Sequence, residues 1–316
     1  MSKIGLQPTQ TLAEAGQMIF AHHFHDFLKH ETGTRSGKDN EFVHDMRVAT
    51  RRMRATIRTF GNQFSPSSVK FLENSLKKIA QNLGAVRDLD VFIEKLTTYQ
   101  QNLPLDEQSG LTPLVEYCYL QREIARTKML TYLDSKAYER FKTKAACFIK
   151  KEILIIKPVS IKPTPYQIHH VAPVLIYSRY EAIRAYEPFL TNASVKLLHQ
   201  LRIDFKHFRY TLENFQEILG NESVMVLSEI KAMQDHLGNL NDTSVACQFV
   251  EDFLHNWKRY REKLATTRTK KPTAIVRYLN VKIAEQELLL TTFPHAWHQF
   301  NSLKLRQHLA LSIAVL

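Results

Sequence analysis

Val43–Phe60 reads VHDMRVATRRMRATIRTF, with five arginines and one histidine in eighteen residues. An α-helix advances about 100° per residue. With His44 placed at zero, Arg47, Arg51, Arg54 and Arg58 fall within about 80° of it, all to one side. Val43, Met46, Thr50, Met53, Ile57 and Phe60 form a second stripe roughly 120° away. The segment is therefore an amphipathic helix whose core-facing row and basic row are separate. Arg52 falls outside the basic row.

The same division recurs 155 positions downstream, where Leu198–Phe215 reads LHQLRIDFKHFRYTLENF. His199, Arg202, Lys206 and Arg209 take the basic stripe, and Leu198, Leu201, Phe205, Phe208, Leu212 and Phe215 the apolar one. Glu213 stands where Arg58 stood. A second pair of segments, LKKIAQNLGAVRDLDVFIEKL at 76–96 and IKAMQDHLGNLNDTSVACQFV at 230–250, is offset by 154. It aligns Lys77 with Lys231, Leu83-Gly84 with Leu237-Gly238, and Asp88 with Asp242. Two matches nearly in step indicate two related halves. The proline-rich stretch at 157–167, KPVSIKPTPYQ, is the best linker, which divides the chain into halves 1–160 and 161–316.

The rest of the sequence fits an all-α class. Apolar residues make up 44% of 316, ordinary for a globular protein with a sizeable core, and nine glycines are few for a turn-rich β or dinucleotide-binding fold. Helical periodicity is legible over 10–30, 43–60, 67–82, 85–101, 111–150, 171–190, 195–219, 223–237, 239–261 and 273–300. Cys118, Cys147 and Cys247 are odd in number and lack CxxC spacing, which fits reduced thiols rather than a disulfide scaffold. The opening residues show no apolar signal region, and no run has the length of a membrane span, so a soluble, cytoplasmic protein is expected.

A formal net charge of +12 recruits polyanions: nucleic acid, an anionic membrane surface or phosphate-rich molecules. A basic run can be only a solvated face, but solvated helices usually mix signs because i,i+4 pairs of opposite charge stabilise them. The first stripe has no acid among its five positions. Its cations are arginines, whose planar fork suits bidentate phosphate contacts. The stripe also recurs on the same side of the apolar face. A shared anion site is therefore the stronger reading, with Lys77 and Lys231 added by their duplication. His44 and His199 head their stripes and can either donate to a phosphate oxygen or simply pack.

Other constellations carry less. His44-Asp45 has the look of a phosphohydrolase pair, but the two side chains diverge by about 100°, and Gln200 replaces the acid in the second half. His22, His23 and His25, the pair His169-His170, and His295 with His298 lack HxxxH or HExxH spacing and are weak metal signals. No glycine-rich phosphate loop is present. LGxxRD at 83–88 reads as a helix end, with Gly84 as C-cap and Asp88 capping or pairing near the next helix. Arg87 is undecided, because Asn241 takes its place in the other half. Arg122, Arg126, Arg140, Lys144, Arg179, Arg184 and Arg277 extend the surface or are ordinary solvated charges.

The pattern H-x-x-R-V-x-x-R-R-x-R at 44–54, with LGxxRD downstream and H-x-x-R-x-x-x-K-x-x-R-Y at 199–210, resembles the CHAD family, the conserved histidine α-helical domain. The resemblance spans about 10–300. It implies two antiparallel helical bundles of about four helices each, related by a pseudo-two-fold axis, with basic residues lining a central cavity or groove. It also implies binding of inorganic polyphosphate. His44, Arg47, Arg51 and Arg54 match the first motif, and His199, Arg202, Lys206 and Arg209 the second. No ExExK signature of the CYTH domain that often precedes CHAD is present, so a stand-alone domain is expected. Glu213 and Asn241 depart from two-fold symmetry and make the first half the more charged.

The row from His44 to Arg58 spans about 21 Å at 1.5 Å per residue, long enough to track several successive phosphates. The expected function is non-catalytic polyphosphate binding, with no catalytic residue, metal or cofactor, and with storage granules as a natural location. Nucleic acid is the second choice of partner. The aromatics beside the stripes, such as Phe205 and Phe208, fall on the core face rather than where bases would stack. A metal-dependent phosphohydrolase is third, since the stripes themselves supply neither metal ligands nor a carboxylate base.

Overall fold

The computed structural model describes residues 3–150, 165–257, 259 and 272–316. Among these, helices and their connections account for the chain; the one β-type contact is an isolated bridge between Thr11 and Gln167. The expected all-α class is what the structure shows. Residues 157–164 of the expected linker lie outside the described residues.

A few helix ends carry chemistry that is readable in the sequence. Helix α1 (Leu12–Ser36) opens on a capping box between Thr11 and Glu14 and closes on Gly37, whose φ of 66° is left-handed. Helix α2 (Glu41–Phe60) carries the first basic stripe. Helix α3 (Pro66–Gln101) starts on a proline, whose missing N–H costs nothing in the first turn. A short α4 (Leu105–Gln108) leads to α5 (Thr112–Leu133) and α6 (Lys136–Lys150). Then follow α7 (Ile168–Arg184), α8 (Val195–Phe215) with the second stripe and a Ser194 cap, and α9 (Ser223–His255). Helices α10 (Thr273–Phe300) and α11 (Leu303–Ile313) complete the chain.

Three expectations about helix limits change. The stretches 67–82 and 85–101 are one helix, and so are 223–237 and the described part of 239–261. Gly84 is therefore not a C-cap, and Asp88 lies inside α3 rather than at a helix start. Leu72, Leu76, Ile79, Leu83, Val86, Ile93 and Leu96 bury one continuous row. That burial exceeds the roughly 1 kcal/mol that a mid-helix glycine costs. Conversely, 111–150 splits at Asp134-Ser135, where the Ser135 hydroxyl accepts from the Tyr138 N–H and starts a new helix. Helix α11 had no counterpart in the sequence reading.

The core has three apolar clusters. One lies within the first half, where Phe20, Phe24 and Phe27 of α1 meet Met46 and Met53 of α2, Leu76 of α3 and Phe141 of α6. The second is built mainly by α7 to α11 but takes in Leu12, Ala15 and Ile19 from α1 and Phe60 from α2. The third joins Ile93 and Leu96 of α3 and Leu114 and Cys118 of α5 to Val250, Phe253, Ile275 and Tyr278. Two of the three clusters thus cross the division at residue 160.

Residues that coincide in the repeat also touch. The Phe60 and Phe215 rings meet edge-on with centroids 5.6 Å apart. Beside them Asn214 Nδ2 donates to Thr59 Oγ1 at 3.4 Å. Gly16 makes room for this junction, because a Cβ there would lie 2.6 Å from the Cβ of Phe60. No helix among the described residues is long and apolar enough to cross a membrane.

Candidate anion-binding site

Helices α2 and α8 pack against one another. Their apolar rows enter the core: Val43, Met46, Met53, Ile57 and Phe60 on α2, and Leu198, Leu201, Phe205, Phe208, Leu212 and Phe215 on α8, are all buried. The basic rows are left at the margin of that packing. Arg47, Arg51, Arg54, Arg202, Lys206 and Arg209 are half-buried, and Arg58 is exposed.

Arg47 and Arg51 from α2 act electrostatically on Arg202 and Lys206 from α8. Lys206 is pushed down to about 8, first by burial and then by Arg202, Arg51 and Arg47, with Asp242 acting in the opposite sense. Arg202 is likewise lowered by burial, with Arg47 and Arg51 opposing its charge and Asp242 and Asp88 supporting it. Burial lowers Arg51 too, reinforced by Arg47, Arg209 and Arg52. Among the described residues, Nε of Arg51 and Nε of Arg202 are sealed from solvent without a hydrogen-bond partner. Each helix thus supplies one buried donor whose natural partner is an anion.

The acids near this cluster are few and already engaged. Asp88 Oδ1 accepts from Arg47 Nη1 at 2.8 Å, and Asp242 Oδ2 accepts from Lys95 Nζ at 3.1 Å. These two aspartates coincide in the repeat, a duplication that could have marked them as site residues rather than helix caps. Asn241, read as a loss of charge opposite Arg87, accepts a hydrogen bond at 2.7 Å from His199 Nδ1 in the tautomer that carries its proton there. That tautomer leaves Nε2 as the acceptor. His44 is half-buried and held low by burial and then by Arg87. Arg87 itself pairs with Glu41 at 3.3 Å.

The two stripes differ in charge towards their ends. Burial lowers Arg58, and Arg54 and Arg179 add to that, which places Arg179 of α7 beside the end of the first stripe. Arg179 had been one of seven undifferentiated basic residues. On α8 the corresponding end is neutralised: Glu213 accepts from Arg209 Nε at 2.7 Å and lies 3.9 Å from Arg52. Arg209 also donates to Gln234 Oε1 at 3.0 Å. Lys77 and Lys231 are exposed on α3 and α9, and no ion pair or hydrogen bond joins them to the stripes among the described residues.

Most of the outlying cations hold the fold instead. Arg122 donates to the buried Asp90 at 2.6 Å and to Asn40 at 2.8 Å, tying α5 to α3 and to the start of α2. Arg126 caps the carbonyl end of α1 through Arg35 O at 2.8 Å. Arg140 stands over the Phe71 ring, Arg184 pairs with Glu181, and Arg277 pairs with Glu107.

The sequence pattern of the CHAD domain matches residues 18–251. The chain is similar in structure to the crystal structure of the CHAD domain from the plant Ricinus communis, with a TM-score of 0.65 at 21% identity over 96% of this chain and 93% of that one. It is similar also to PptA from Streptomyces chartreusis, with a TM-score of 0.66 at 15% identity over 91% of this chain and 99% of that one. No curated protein matches the sequence. At these identities the structures speak for the fold, and the family match, which covers well over half of the chain, speaks for descent: this protein belongs to the CHAD domain family.

Proposed function

We propose that this protein binds inorganic polyphosphate without transforming it, along a groove between the basic rows of α2 and α8. The supporting observation is the cluster of Arg47, Arg51, Arg202 and Lys206, with buried, unpartnered Nε donors on Arg51 and Arg202. Such crowding is unfavourable without a ligand and is relieved by a multivalent anion. A linear polymer satisfies both rows at once, and release of its condensed counterions supplies much of the affinity, as it does for nucleic-acid backbones. The Phe60–Phe215 and Thr59–Asn214 contacts support a pseudo-two-fold axis between the helices, with Glu213 leaving the α8 row the less charged of the two. The nearest carboxylates are engaged by Arg47 and Lys95, which favours holding a phosphate chain over attacking it.

Arg51→Glu combined with Arg202→Glu is expected to abolish polyphosphate binding in a filter or calorimetric assay, with the helical circular dichroism retained. Unchanged affinity would make the stripes a solvated face. RNA offered at matched charge concentration should fail to displace polyphosphate, because Phe60, Phe205, Phe208 and Phe215 of the two helices are buried in the core rather than offered for base stacking. Displacement would make nucleic acid the ligand. Incubation with polyphosphate should release no orthophosphate.

A further inference from the structure

A separate feature lies on α1. A nitrogen of His22, a nitrogen of His23 and a carboxylate oxygen of Asp26 all lie within 4.8 Å of one another. His22 Nε2 is 3.6 Å from Asp26 Oδ2, and the two imidazole rings are set nearly edge to face with centroids 5.2 Å apart. The i,i+4 spacing of His22 and Asp26 puts them on one face of the helix, and His23 flanks it.

His23 gives this cluster a meaning that its acidity and spacing alone would not. The residue is 4% exposed, and its Nδ1 is buried with no hydrogen-bond partner among the described residues. Buried polar atoms are nearly always satisfied, so an orphaned ring nitrogen beside a second imidazole and a carboxylate calls for a partner. A neutral imidazole is the state that donates a lone pair to a cation. Arg52 does not impose a bare positive charge, since Glu213 lies 3.9 Å from it. His22 and His23, but not Asp26, also line a cavity of about 310 Å³ shared with Lys3, Arg52, Tyr210 and Glu213, which leaves room for water beside the two imidazoles.

We infer that His22, His23 and Asp26 form a binding site for a first-row divalent cation, Zn2+ in the first instance. Two imidazoles and one carboxylate are a preferred donor set for Zn2+, with water in the fourth position. A tetrahedral shell needs ligand atoms about 3.3 Å apart, given metal–ligand bonds of about 2.0–2.1 Å. The candidate atoms lie within 4.8 Å of one another, so the partly exposed Asp26 and His22 side chains would have to turn inward to complete that shell. His25, the third histidine of the cluster in sequence, is exposed and takes no part. The ion would fix the face of α1 that looks toward α2 and the end of α8, at the border between the two halves.

The full chain, stripped with a chelator and held in phosphate-free buffer without polyphosphate, is titrated with Co2+ and then with Zn2+. The expected result is one Co2+ per chain with the visible absorption of a four-coordinate site, displaced by Zn2+. His22→Ala and Asp26→Asn, both at partly exposed positions, should each weaken Zn2+ binding at least tenfold. His295→Ala with His298→Ala should leave it unchanged. A Co2+ spectrum and stoichiometry identical in wild type and in the His22→Ala, Asp26→Asn double variant would overturn the site, as would no binding tighter than millimolar. Because polyphosphate is absent throughout, neither result bears on the stripes.

Discussion

Lys206 is the stripe residue pushed well below its ordinary protonation range. It titrates at about 8 in the free protein because it is buried and then because Arg202, Arg51 and Arg47 crowd it. In the unfolded chain a lysine titrates near about 10.4. Between those values the unfolded state binds more protons, so stability rises as pH is raised through that window. Lys206→Met should therefore stabilise the fold by about 1 kcal/mol at pH 7, less than the full shift because the side chain is partly solvated. It should weaken polyphosphate binding at the same time; urea titration and calorimetry on one preparation measure both. Anion binding restores the ordinary affinity of Lys206 for its proton, so proton uptake near pH 8 should appear as a buffer-dependent heat. His23 and His207 work at the acid end, lowered to about 3 and about 4, each chiefly by burial. Both are neutral in either state above about pH 6.5, and the unfolded chain protonates first as pH falls. Stability is lost progressively below that value, and His207→Gln should flatten the slope between about pH 4 and 6.5.

At the scale of single helices, periodicity was legible and limits were not. The rows of α2 and α8 are as the 100° wheel has them: Leu198, Leu201, Phe205, Phe208, Leu212 and Phe215 are buried, and none of the cations of LHQLRIDFKHFRYTLENF is. Gly84 and Gly238 show why limits fail. Each looks like punctuation in the sequence, yet each sits inside a long helix, α3 or α9. Local propensity marks a glycine as a weak point, and only the burial of the flanking row decides whether the helix continues through it. A Cβ at Gly238 would meet nothing within 4 Å, and one at Gly84 would find Arg47 Nε at 3.8 Å. Alanine at either position should therefore stabilise the protein by about 0.5–1 kcal/mol in chemical denaturation. Gly16→Ala should do the reverse, because its Cβ would collide with Phe60.

At the scale of the molecule, the two halves are tied through shared apolar clusters and through contacts between repeated positions. Phe60 is fully buried where α1, α2 and α8 meet, so Phe60→Ala should cost about 3–5 kcal/mol. Unfolding of the wild type should be a single transition by fluorescence and by circular dichroism, since neither half completes its core alone. The sequence by itself determined the helical class, the internal repeat and the separation of a basic row from an apolar row on two helices. Those properties follow from residue spacing along one helix, which the chain carries whatever it packs against. It did not determine which cations converge. Arg47, Arg51, Arg202 and Lys206 become neighbours because α2 packs on α8, and Arg179 joins because α7 delivers it to the end of α2. Lys77 and Lys231, equally duplicated, are exposed on α3 and α9. Arg122 turns away to Asp90, and Glu213 neutralises Arg209. Convergence is a property of distances between helices, set by side chains far apart in the chain, and no spacing rule along a single helix contains it.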